Sequence, residues 1–576
     1  MFHISCLAPT PLRRAITSLA AATVLIAGCT APGETTTTEG ESPQHMVAAA
    51  NPLAAEAGMR MLRQGGSAVD AAIATALVLG LVEPQSSGIG GGAFLMHHQA
   101  DNRSVTAYDG RESAPSEAGE DLFLKADGEP MAFWDAVVGG RSVGTPGLLR
   151  MLELAHQDHG RLPWADLFAP AIELAEQGFA VSPRLHGLIA GDKYLKRYDE
   201  TAAYFHDAAG EALAVGTLRK NQAYADTLRA VAENGADAFY TGQIAVNIVN
   251  QVRAASGNPG LLSYSDMTGY QAKRRKPVCA PYRQWQVCGM PPPTSGGVAV
   301  LQILSLLEPF DLPAMGAASP EAIHLVAEAG RLAFADRNRF LADSDFVEVP
   351  VEALLDPQYL GERAKQISPA GSLGKAEPGL RMQQAHSPQQ LNPPSTSHLS
   401  VVDKDGNAVS MTASIESAFG SRVMAEGFLL NNELTDFSFR PSVDGLPVAN
   451  RVQAGKRPRS SMSPTLVLDR QGRFVMAIGS PGGSRIIGYT TKAIVGALDW
   501  NLSMQDAIDL PNFVNRNGAT DLEEGRGLEA AKTALEALGH EVNLRDLTSG
   551  LHGIRLTGDG LDGGADPRRE GVVLTQ

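Results

Sequence analysis

Hydroxyl side chains recur in the stretch TSHLSVVDKDGNAVSMTAS, which begins at Thr396. Polar and apolar residues alternate on both sides of a Lys-Asp-Gly turn, and this pattern predicts a β-hairpin. A three-residue turn with Gly406 in the left-handed conformation places Thr396 opposite Ser414 and His398 opposite Thr412, and it pairs apolar residues on the other face. A two-residue Asp-Gly turn would mix the two faces, so the pattern favours the first register.

The hydroxyl-bearing face of this hairpin has two interpretations. Antiparallel sheets commonly turn a Ser/Thr face to solvent, and the pattern alone favours that interpretation. Alternatively, a hydroxyl at the start of a strand becomes a nucleophile when the peptide bond before it is broken. The new α-amine, with a pKa of about 8, can then take the proton of its own hydroxyl, and no His or Asp is needed. The Gln-, Pro- and Ser-rich segment 377–395 has the composition of a linker suited to such processing.

Helices and short strands must position this hairpin. Apolar periodicity and capping signals predict helices that follow the ranges 51–64, 69–81, 170–177, 224–234, 322–340, 503–509 and 529–538. In the first of them, Leu53, Ala57, Met61 and Leu62 form an apolar stripe. The Gly-rich run SSGIGGG leads into an apolar strand and not from a strand into a helix, so nucleotide-binding loops are excluded.

Composition describes a globular, acidic protein. The chain has 576 residues, 44% of them hydrophobic, and a formal net charge of −15. Nucleic acid is excluded as a partner, because binding its phosphate backbone requires clustered Lys and Arg. The single basic run, 273–276, is interpreted as a solvated strand edge.

The first 44 residues indicate export and not fold. Arg13 and Arg14 precede an apolar run that ends in LIAGC, which resembles a bacterial lipobox with Cys29 as the lipidated residue. We therefore predict a lipoprotein signal peptide over 1–29, a flexible tether over 30–44, and a periplasm-facing protein held to a bacterial membrane only by its lipid. The alternative is an ordinary cleaved signal peptide with a chance cysteine.

The remaining cysteines and histidines do not predict a metal site. Cys279 and Cys288 flank a short strand-like segment, and a disulfide and two buried thiols are both compatible with it. The pairs His97-His98 and His156/His159 lack a third ligand at metal-binding spacing, so we interpret them as surface or core histidines. The sequence implies no metal and no organic cofactor.

Eight separated motifs together resemble the γ-glutamyltranspeptidase (glutathione hydrolase) family of N-terminal nucleophile hydrolases. They occur in family order, and the resemblance covers nearly the whole chain from His45 to its end. The motifs are GGSAVDAAIATALVLGLVEPQSSGIGGG, GRESAP, MPPPTSGGVAVLQIL, TSHLSVVDKDGNAVSMT, LLNNELTDFS, KRPRSSMSPT, GSPGGSRII and ADPRREG. The resemblance implies an α+β fold, a four-layer αββα sandwich made as a precursor that cleaves itself. The implied cut between Ser395 and Thr396 separates a large subunit, 45–395, from a small catalytic subunit, 396–576, and the two stay associated.

The same resemblance implies a role for ten residues. Thr396 is the expected nucleophile, Ser414 the hydroxyl that hydrogen-bonds it, and the backbone of Gly482 and Gly483 the oxyanion hole. The expected substrate is a γ-glutamyl compound such as glutathione, whose acyl group passes to water or to an amino-acid or peptide acceptor. The residues expected to hold the glutamyl head are Arg111, Ser460 and Ser461 at the α-carboxylate, and Glu433, Asp436 and Glu416 at the α-ammonium.

Two departures from the family pattern leave alternatives open. Glu416 stands where many members have Asn, which adds negative charge to the pocket, and segment 439–455 is shorter than the lid of lidded members. An acylase of the same family, acting on glutaryl-type amides, is the first alternative. Retention of Arg111, Glu433 and Asp436 argues against it, because a glutaryl group has no ammonium for the acids to bind. A non-catalytic surface lipoprotein is the second.

Overall fold

The computed structural model describes residues 44–382, 384–385, 387 and 395–576. The predicted signal peptide, the lipidation at Cys29 and almost all of the tether lie outside these residues, as does the stretch 388–394 of the predicted linker. None of the described helices combines the length and the hydropathy needed to cross a membrane.

The predicted helices are confirmed with bounds shifted by one or two residues. The helices of six or more residues are α1 (Pro52–Arg63), α2 (Ala68–Val82), α3 (Leu148–His159), α4 (Ala169–Gln177), α5 (Pro183–Gly191), α6 (Asp199–Phe205), α7 (Gln222–Asn234), α8 (Gly242–Arg253), α9 (Tyr264–Gly269), α10 (Gly296–Leu307), α11 (Pro320–Phe340), α12 (Pro357–Ala364), α13 (Ile486–Leu498), α14 (Met504–Asp509) and α15 (Glu529–Ala537).

Side-chain caps explain where several of these helices begin. Asn51 caps α1 by accepting from the N–H of Leu53 at 3.0 Å, and Ser67 and Asp70 form a reciprocal capping box on α2. One detail of the predicted stripe on α1 is wrong: Leu53 is 40% exposed. It lies in the first turn, beside the cap, where the helix faces solvent.

The strands of three or more residues belong to three sheets. They are β1 (Met46–Ala49), β2 (Gly92–Gln99), β3 (Ser104–Gly110), β4 (Lys273–Arg275), β5 (Val278–Tyr282), β6 (Trp285–Gly289), β7 (Ser397–Val402), β8 (Ala408–Ser414), β9 (Thr465–Leu468), β10 (Phe474–Gly479), β11 (Phe513–Asn515), β12 (Thr520–Glu523), β13 (Val542–Arg545), β14 (His552–Thr557), β15 (Gly560–Ala565) and β16 (Val572–Thr575).

The two large sheets are antiparallel and draw strands from both sides of residue 395. The first has seven strands in the order β16-β1-β7-β8-β2-β3-β4, and the second has six in the order β15-β14-β10-β9-β6-β5. A third sheet joins β11, β12 and β13. In the first sheet β7, β8 and β16 follow residue 395, whereas in the second only β5 and β6 precede it.

The architecture is a four-layer αββα sandwich, as predicted. Helices α1, α2 and α3 pack on the first sheet, α10, α13 and α14 pack on the second, and the two sheets pack face to face through β7, β8, β10 and β14. One apolar cluster fills each outer interface, and a smaller one, with Met46, Phe94 and Leu466, lies between the sheets. Both faces of each sheet are therefore covered in the middle of the molecule.

The hairpin of β7 and β8 has the predicted register. His398 lies opposite Thr412, and Leu399 lies opposite Met411. The solvent interpretation of the hydroxyl face is wrong. Ser400 and Ser410 are fully buried, because that face is covered by the second sheet, and they donate to the carbonyls of His552 at 3.2 Å and Ile478 at 3.0 Å.

The two large sheets answer two questions that the sequence left open. Cys279 and Cys288 lie directly opposite each other on β5 and β6 and form a disulfide. The basic run forms β4, the last strand of the first sheet. As predicted, it is an edge, although its charges are paired: Lys273 and Arg275 bind Asp345, and Arg274 binds Asp158.

Candidate active site

The start of β7 brings the Thr396 hydroxyl to the end of β8. Thr396 Oγ1 lies 3.0 Å from Ser414 Oγ, and Ser414 Oγ also accepts the backbone N–H of Glu416 at 2.8 Å. Arg569 Nη1 donates to the Thr396 carbonyl at 2.8 Å. These three contacts hold the hydroxyl on one side of a buried cavity.

The backbone at Thr396 has an unusual conformation. Its φ of 84° lies in the left-handed region, which a β-branched residue rarely adopts and which costs on the order of 1–3 kcal/mol. The preceding Ser395 is buried, and its hydroxyl donates to the carbonyl of Gln85 at 2.8 Å. The bond predicted to break is therefore held from both sides and joins a residue in a strained conformation.

Gly482 and Gly483 form the turn that leads from β10 into α13. Their φ values are 135° and 59°, and both are in the region that favours glycine. A Cβ on Gly482 would lie 2.7 Å from the Tyr489 ring. Gly483 lines the same cavity as Thr396, whereas Gly482 does not appear in its lining.

Three acids form one wall of the cavity, and an arginine lies behind them. Glu416, Glu433 and Asp436 line the cavity. Arg111 is fully buried, and it donates from Nη1 to Glu433 and from Nη2 to Asp436. Its Nε donates to the carbonyl of Pro458 at 3.0 Å. Arg111 therefore does not itself line the cavity; it contacts two carboxylates that do.

Burial favours the protonated form of two of these acids, Glu416 and Glu433. Burial raises the pKa of Glu416 to about 8, with Asp436 and Glu433 adding to the effect. Burial also raises the pKa of Glu433 to about 7, although the charge of Arg111 opposes it. For Arg111 itself, burial alone would lower the pKa, but the neighbouring acids outweigh it and the pKa is raised. The wall holds more acid than one guanidinium can neutralise.

Two further hydroxyls line the cavity and form its hydroxyl wall. Ser460 and Ser461 both line it and lie on the segment before β9. Ser460 Oγ accepts from the N–H of Met462 at 3.1 Å, and Ser461 Oγ accepts from Arg337 Nη2 at 2.6 Å. The cavity is therefore lined by an acidic wall, a hydroxyl wall and the hydroxyl of Thr396.

The structure brings eight of the ten predicted site residues to one cavity. The eight are Thr396, Ser414, Glu416, Glu433, Asp436, Ser460, Ser461 and Gly483. Arg111 and Gly482 stand directly behind the lining. Glu112 was not predicted from the sequence. It is fully buried, and burial together with the charge of Glu433 raises its pKa well above its usual value. Arg569, which donates to the Thr396 carbonyl, was not predicted either. Both residues lie inside motifs of the family resemblance, GRESAP and ADPRREG, and Glu112 directly follows Arg111.

One cluster away from this cavity has the composition of a metal site. His324, Glu328 and His540 lie within reach of one ion. Each ligand atom already has a protein partner: the two rings hydrogen-bond each other at 2.7 Å, their other nitrogens meet the Ser368 carbonyl and Thr520, and Glu328 accepts from Arg331, Ser372 and the N–H of Leu373. These contacts account for the cluster without an ion.

Known proteins resemble this chain over most of its length. A family model described as Gamma-glutamyltranspeptidase matches residues 54–575. The chain is 37% identical over 537 residues to the glutathione hydrolase proenzyme of Escherichia coli (strain K12), covering 91% of this chain and 90% of the relative. It is 34% identical over 542 residues to the acylase ACY 1 proenzyme of Pseudomonas sp. (strain SE83), covering 92% and 93%.

The fold has a solved counterpart of similar extent. The crystal structure of the cephalosporin acylase from Bacillus halodurans superposes with a TM-score of 0.81 at 28% identity, covering 96% of this chain and 99% of that one. Family model, sequence relatives and fold lead to the same conclusion. The chain belongs to the gamma-glutamyltranspeptidase family.

Proposed function

We propose that the protein is a γ-glutamyl hydrolase or transferase that cleaves glutathione and similar γ-glutamyl compounds, with Thr396 as its N-terminal nucleophile. One observation carries the proposal: the Thr396 hydroxyl faces, in one cavity, both an acidic wall suited to an ammonium and a hydroxyl wall suited to a carboxylate. A γ-glutamyl head carries both groups on one carbon.

The precursor first cleaves itself at Ser395. The Thr396 hydroxyl attacks the Ser395 carbonyl, the peptide nitrogen leaves as the new α-amine, and water hydrolyses the resulting ester. Release of the left-handed φ of 84° at Thr396 favours this step, because a free N-terminus has no such constraint. The products are a large subunit ending at Ser395 and a small subunit beginning at Thr396.

The mature enzyme then uses the new amine as its base. The amine takes the proton of the Thr396 hydroxyl while the oxygen attacks the γ-carbonyl of the substrate. Backbone N–H groups of the turn at Gly482 and Gly483 stabilise the oxyanion. The proton passes to the leaving amine, and a γ-glutamyl ester remains on Thr396 until water or an acceptor amine removes it.

The same-family acylase is the second candidate function, and an acylase relative covers as much of the chain as the hydrolase does. The acidic wall argues against it. Arg111 supplies one positive charge to Glu433 and Asp436, and Glu416 adds a third acid to the same cavity. A glutaryl group has no ammonium, so it would not offset this excess of acid, whereas a γ-glutamyl group would. We also propose, from the leader sequence alone, that the protein is exported and lipid-anchored through Cys29.

Intact mass together with γ-glutamyl-4-nitroanilide hydrolysis tests the proposal. The parent without residues 1–29 is expected to yield two chains that meet at Ser395/Thr396 and to release nitroaniline. Thr396→Ala is expected to remain one chain and to be inactive, because it lacks the attacking oxygen. A parent that stays whole and inactive would contradict the proposal. A parent that is cut but prefers glutaryl-4-nitroanilide would support the acylase.

A further inference from the structure

Three arginines share one carboxylate beside the turn that carries Gly483. Arg485 directly precedes α13, Arg516 lies in the turn between β11 and β12, and Arg545 ends β13. Their guanidinium nitrogens lie 3.3, 3.6 and 3.0 Å from the carboxylate oxygens of Asp521. One carboxylate offsets one of three positive charges. This arginine cluster therefore has an excess of positive charge.

Arg516 connects the arginine cluster to the cavity. Its Nη1 donates to Ser484 Oγ at 2.7 Å. Ser484 directly follows Gly483, which lines the cavity. The guanidinium of Arg516 is therefore one residue away from the lining at the turn that is proposed to hold the oxyanion.

Electrostatics place Arg516 near the cavity from a second direction. Burial lowers the pKa of Arg337 well below its usual value, and the charges of Arg459 and Arg516 lower it further while Asp436 opposes them. Arg337 donates to Ser461 Oγ, and Ser461 lines the cavity. Because Arg516 acts on a residue that contacts the lining, its charge is felt at the cavity itself.

The backbone on both sides of Arg516 is fixed by asparagine side chains. Asn515 Nδ2 donates to the Gly518 carbonyl at 3.1 Å, across the turn. Asn517 Nδ2 donates to the Ala376 carbonyl at 2.9 Å, and its Oδ1 accepts the N–H of Ala376 at 2.8 Å. A turn held in this way needs little further ordering when its side chain binds a ligand, which favours binding.

Arg516 is charged at neutral pH and accessible. Burial lowers the pKa of Arg516 to about 10, Arg485 and Arg545 add to the effect, and Asp521 opposes it. Its side chain is 19% exposed. A guanidinium has five N–H donors, so donors remain beyond the one that Ser484 accepts. A partly buried cation beside other cations is stabilised when an anion approaches.

The order of groups in the substrate determines which part of it lies near Arg516. In the proposed function the γ-carbonyl lies at the turn of Gly482 and Gly483, and the two head groups lie at the acidic and hydroxyl walls. The leaving group is on the other side of this carbonyl, so it extends past the residues that flank the turn. In a dipeptide leaving group, the carboxylate lies about 7 Å beyond the scissile nitrogen, within reach of a guanidinium that contacts Ser484.

We propose that Arg516 binds the C-terminal carboxylate of the leaving group, so that γ-glutamyl peptides with a free carboxylate are preferred over γ-glutamyl amides and amines without one. Arg485 and Arg545 share Asp521 with Arg516 and so leave its charge available to the ligand. The inference rests on the proposed function and assigns a residue to the half of the substrate that the glutamyl-head residues do not contact.

Three γ-glutamyl substrates with different leaving groups test the inference in the processed enzyme. Glutathione has the free carboxylate, glutathione glycinamide has a neutral amide in its place, and γ-glutamyl-4-nitroanilide has neither. Glutamate release is measured by mass spectrometry for all three. The parent is expected to show a kcat/KM about 10-fold higher for glutathione than for the glycinamide, the low end of the range for a hydrogen bond to a charged group. Arg516→Met is expected to lose this preference and to keep the parent kcat/KM for the two uncharged leaving groups.

Two further variants separate carboxylate binding from a general structural effect. Arg516→Lys retains the charge without the planar fork, so an intermediate preference for glutathione is expected. Arg473→Met is the matched control: Arg473 lies in another hairpin turn, between β9 and β10, and also binds an aspartate, Asp469, at 2.6 Å. Its replacement is expected to leave all three substrates unaffected. A purely structural role of Arg516 would instead lower kcat/KM for all three substrates together.

The outcomes distinguish this inference from the proposed function. A parent that cleaves γ-glutamyl-4-nitroanilide but does not prefer glutathione over its glycinamide would overturn the inference alone, as would a processed Arg516→Met enzyme that keeps the preference. A parent that cleaves none of the three substrates would overturn the proposed function as well. Where Arg516→Met is not processed, Arg516→Lys gives the same comparison, with a reduced preference supporting the inference and an unchanged preference contradicting it.

Discussion

Ser414 illustrates how a single residue supports the hydroxyl of Thr396, the proposed nucleophile. Its oxygen accepts the N–H of Glu416 and lies 3.0 Å from Thr396 Oγ1. A hydroxyl has one proton and two lone pairs, so Ser414 can meet Thr396 either as donor or as acceptor. This adaptability suits the proposed role of Thr396, whose oxygen would be a neutral alcohol before attack and part of an ester afterwards.

We predict that Ser414→Ala lowers kcat for γ-glutamyl-4-nitroanilide about 10-fold, because one hydrogen bond of about 1 to 2 kcal/mol to the nucleophile is lost. Ser414→Thr is the matched control, since it retains a hydroxyl on β8, and it is expected to keep most of the activity. Steady-state kinetics on the processed enzymes measure both. Equal activity of the Ala and Thr variants would show that the contact does not assist attack.

At the residue scale, the buried carboxyl of Glu416 also affects the stability of the folded protein. Its pKa is raised from 4.5 to about 8 in the folded protein, mainly by burial. A carboxyl whose folded pKa is raised favours the folded state at low pH, and this contribution is lost as the pH rises through the folded pKa. The folded protein therefore loses stability between pH 4.5 and about 8 as Glu416 ionises.

We predict that Glu416→Gln melts at a higher temperature than the parent at pH 9, by about 2–4 °C, and that the difference shrinks toward pH 5. The amide stays neutral at every pH and still accepts from Asn432, which donates to Glu416 at 2.7 Å. Thermal melts from pH 5 to pH 9 measure the difference in melting temperature between the variant and the parent. The exposed Glu362→Gln is the control and should show no such trend; a pH-independent difference for Glu416→Gln would contradict the assignment.

At the scale of elements, the hairpin and the turn before α13 are the two devices that assemble the site. The hairpin sets Thr396 beside Ser414 through its register. The turn brings Gly483 to the cavity through two left-handed glycines, and the Tyr489 ring of α13 packs against Gly482. Each device depends on backbone conformation more than on side-chain chemistry.

We predict that Gly482→Ala lowers kcat about 100-fold, the range for a lost oxyanion donor, and also lowers the melting temperature. The added Cβ would lie 2.7 Å from the Tyr489 ring at a φ of 135°, so the turn must move. Gly518→Ala is the control, because open space surrounds a Cβ there. An active, normally stable Gly482→Ala enzyme would show that the turn is not held as the structure indicates.

At the scale of the whole molecule, the predicted cut at Ser395 falls within a fold that both resulting segments build together. Each large sheet combines strands from before and after Ser395, and β7 and β8 lie in the middle of the first sheet. The strands β1 and β2, which flank this hairpin, both come from the larger segment. Separation of the segments would expose strand edges and two apolar interfaces.

We predict that the two chains of the processed enzyme co-purify as one particle and separate only in denaturant. Native mass spectrometry and size exclusion, each compared with a denatured sample, measure this. Thr396→Ala supplies the uncut particle of the same size as a reference. Spontaneous separation of the processed chains under native conditions would contradict the interleaved sheets.

The sequence by itself determined the helices, the hairpin register and the residue types of the site, because these depend on local periodicity, turn chemistry and motif order. It could not decide that the hydroxyl face is buried, since only the second sheet covers it, or that Cys279 and Cys288 are bonded, since their pairing depends on strand register. It also overlooked Glu112, a buried carboxyl beside Arg111. Which charge lies behind which wall depends on residues hundreds of positions apart, and only tertiary packing brings them together.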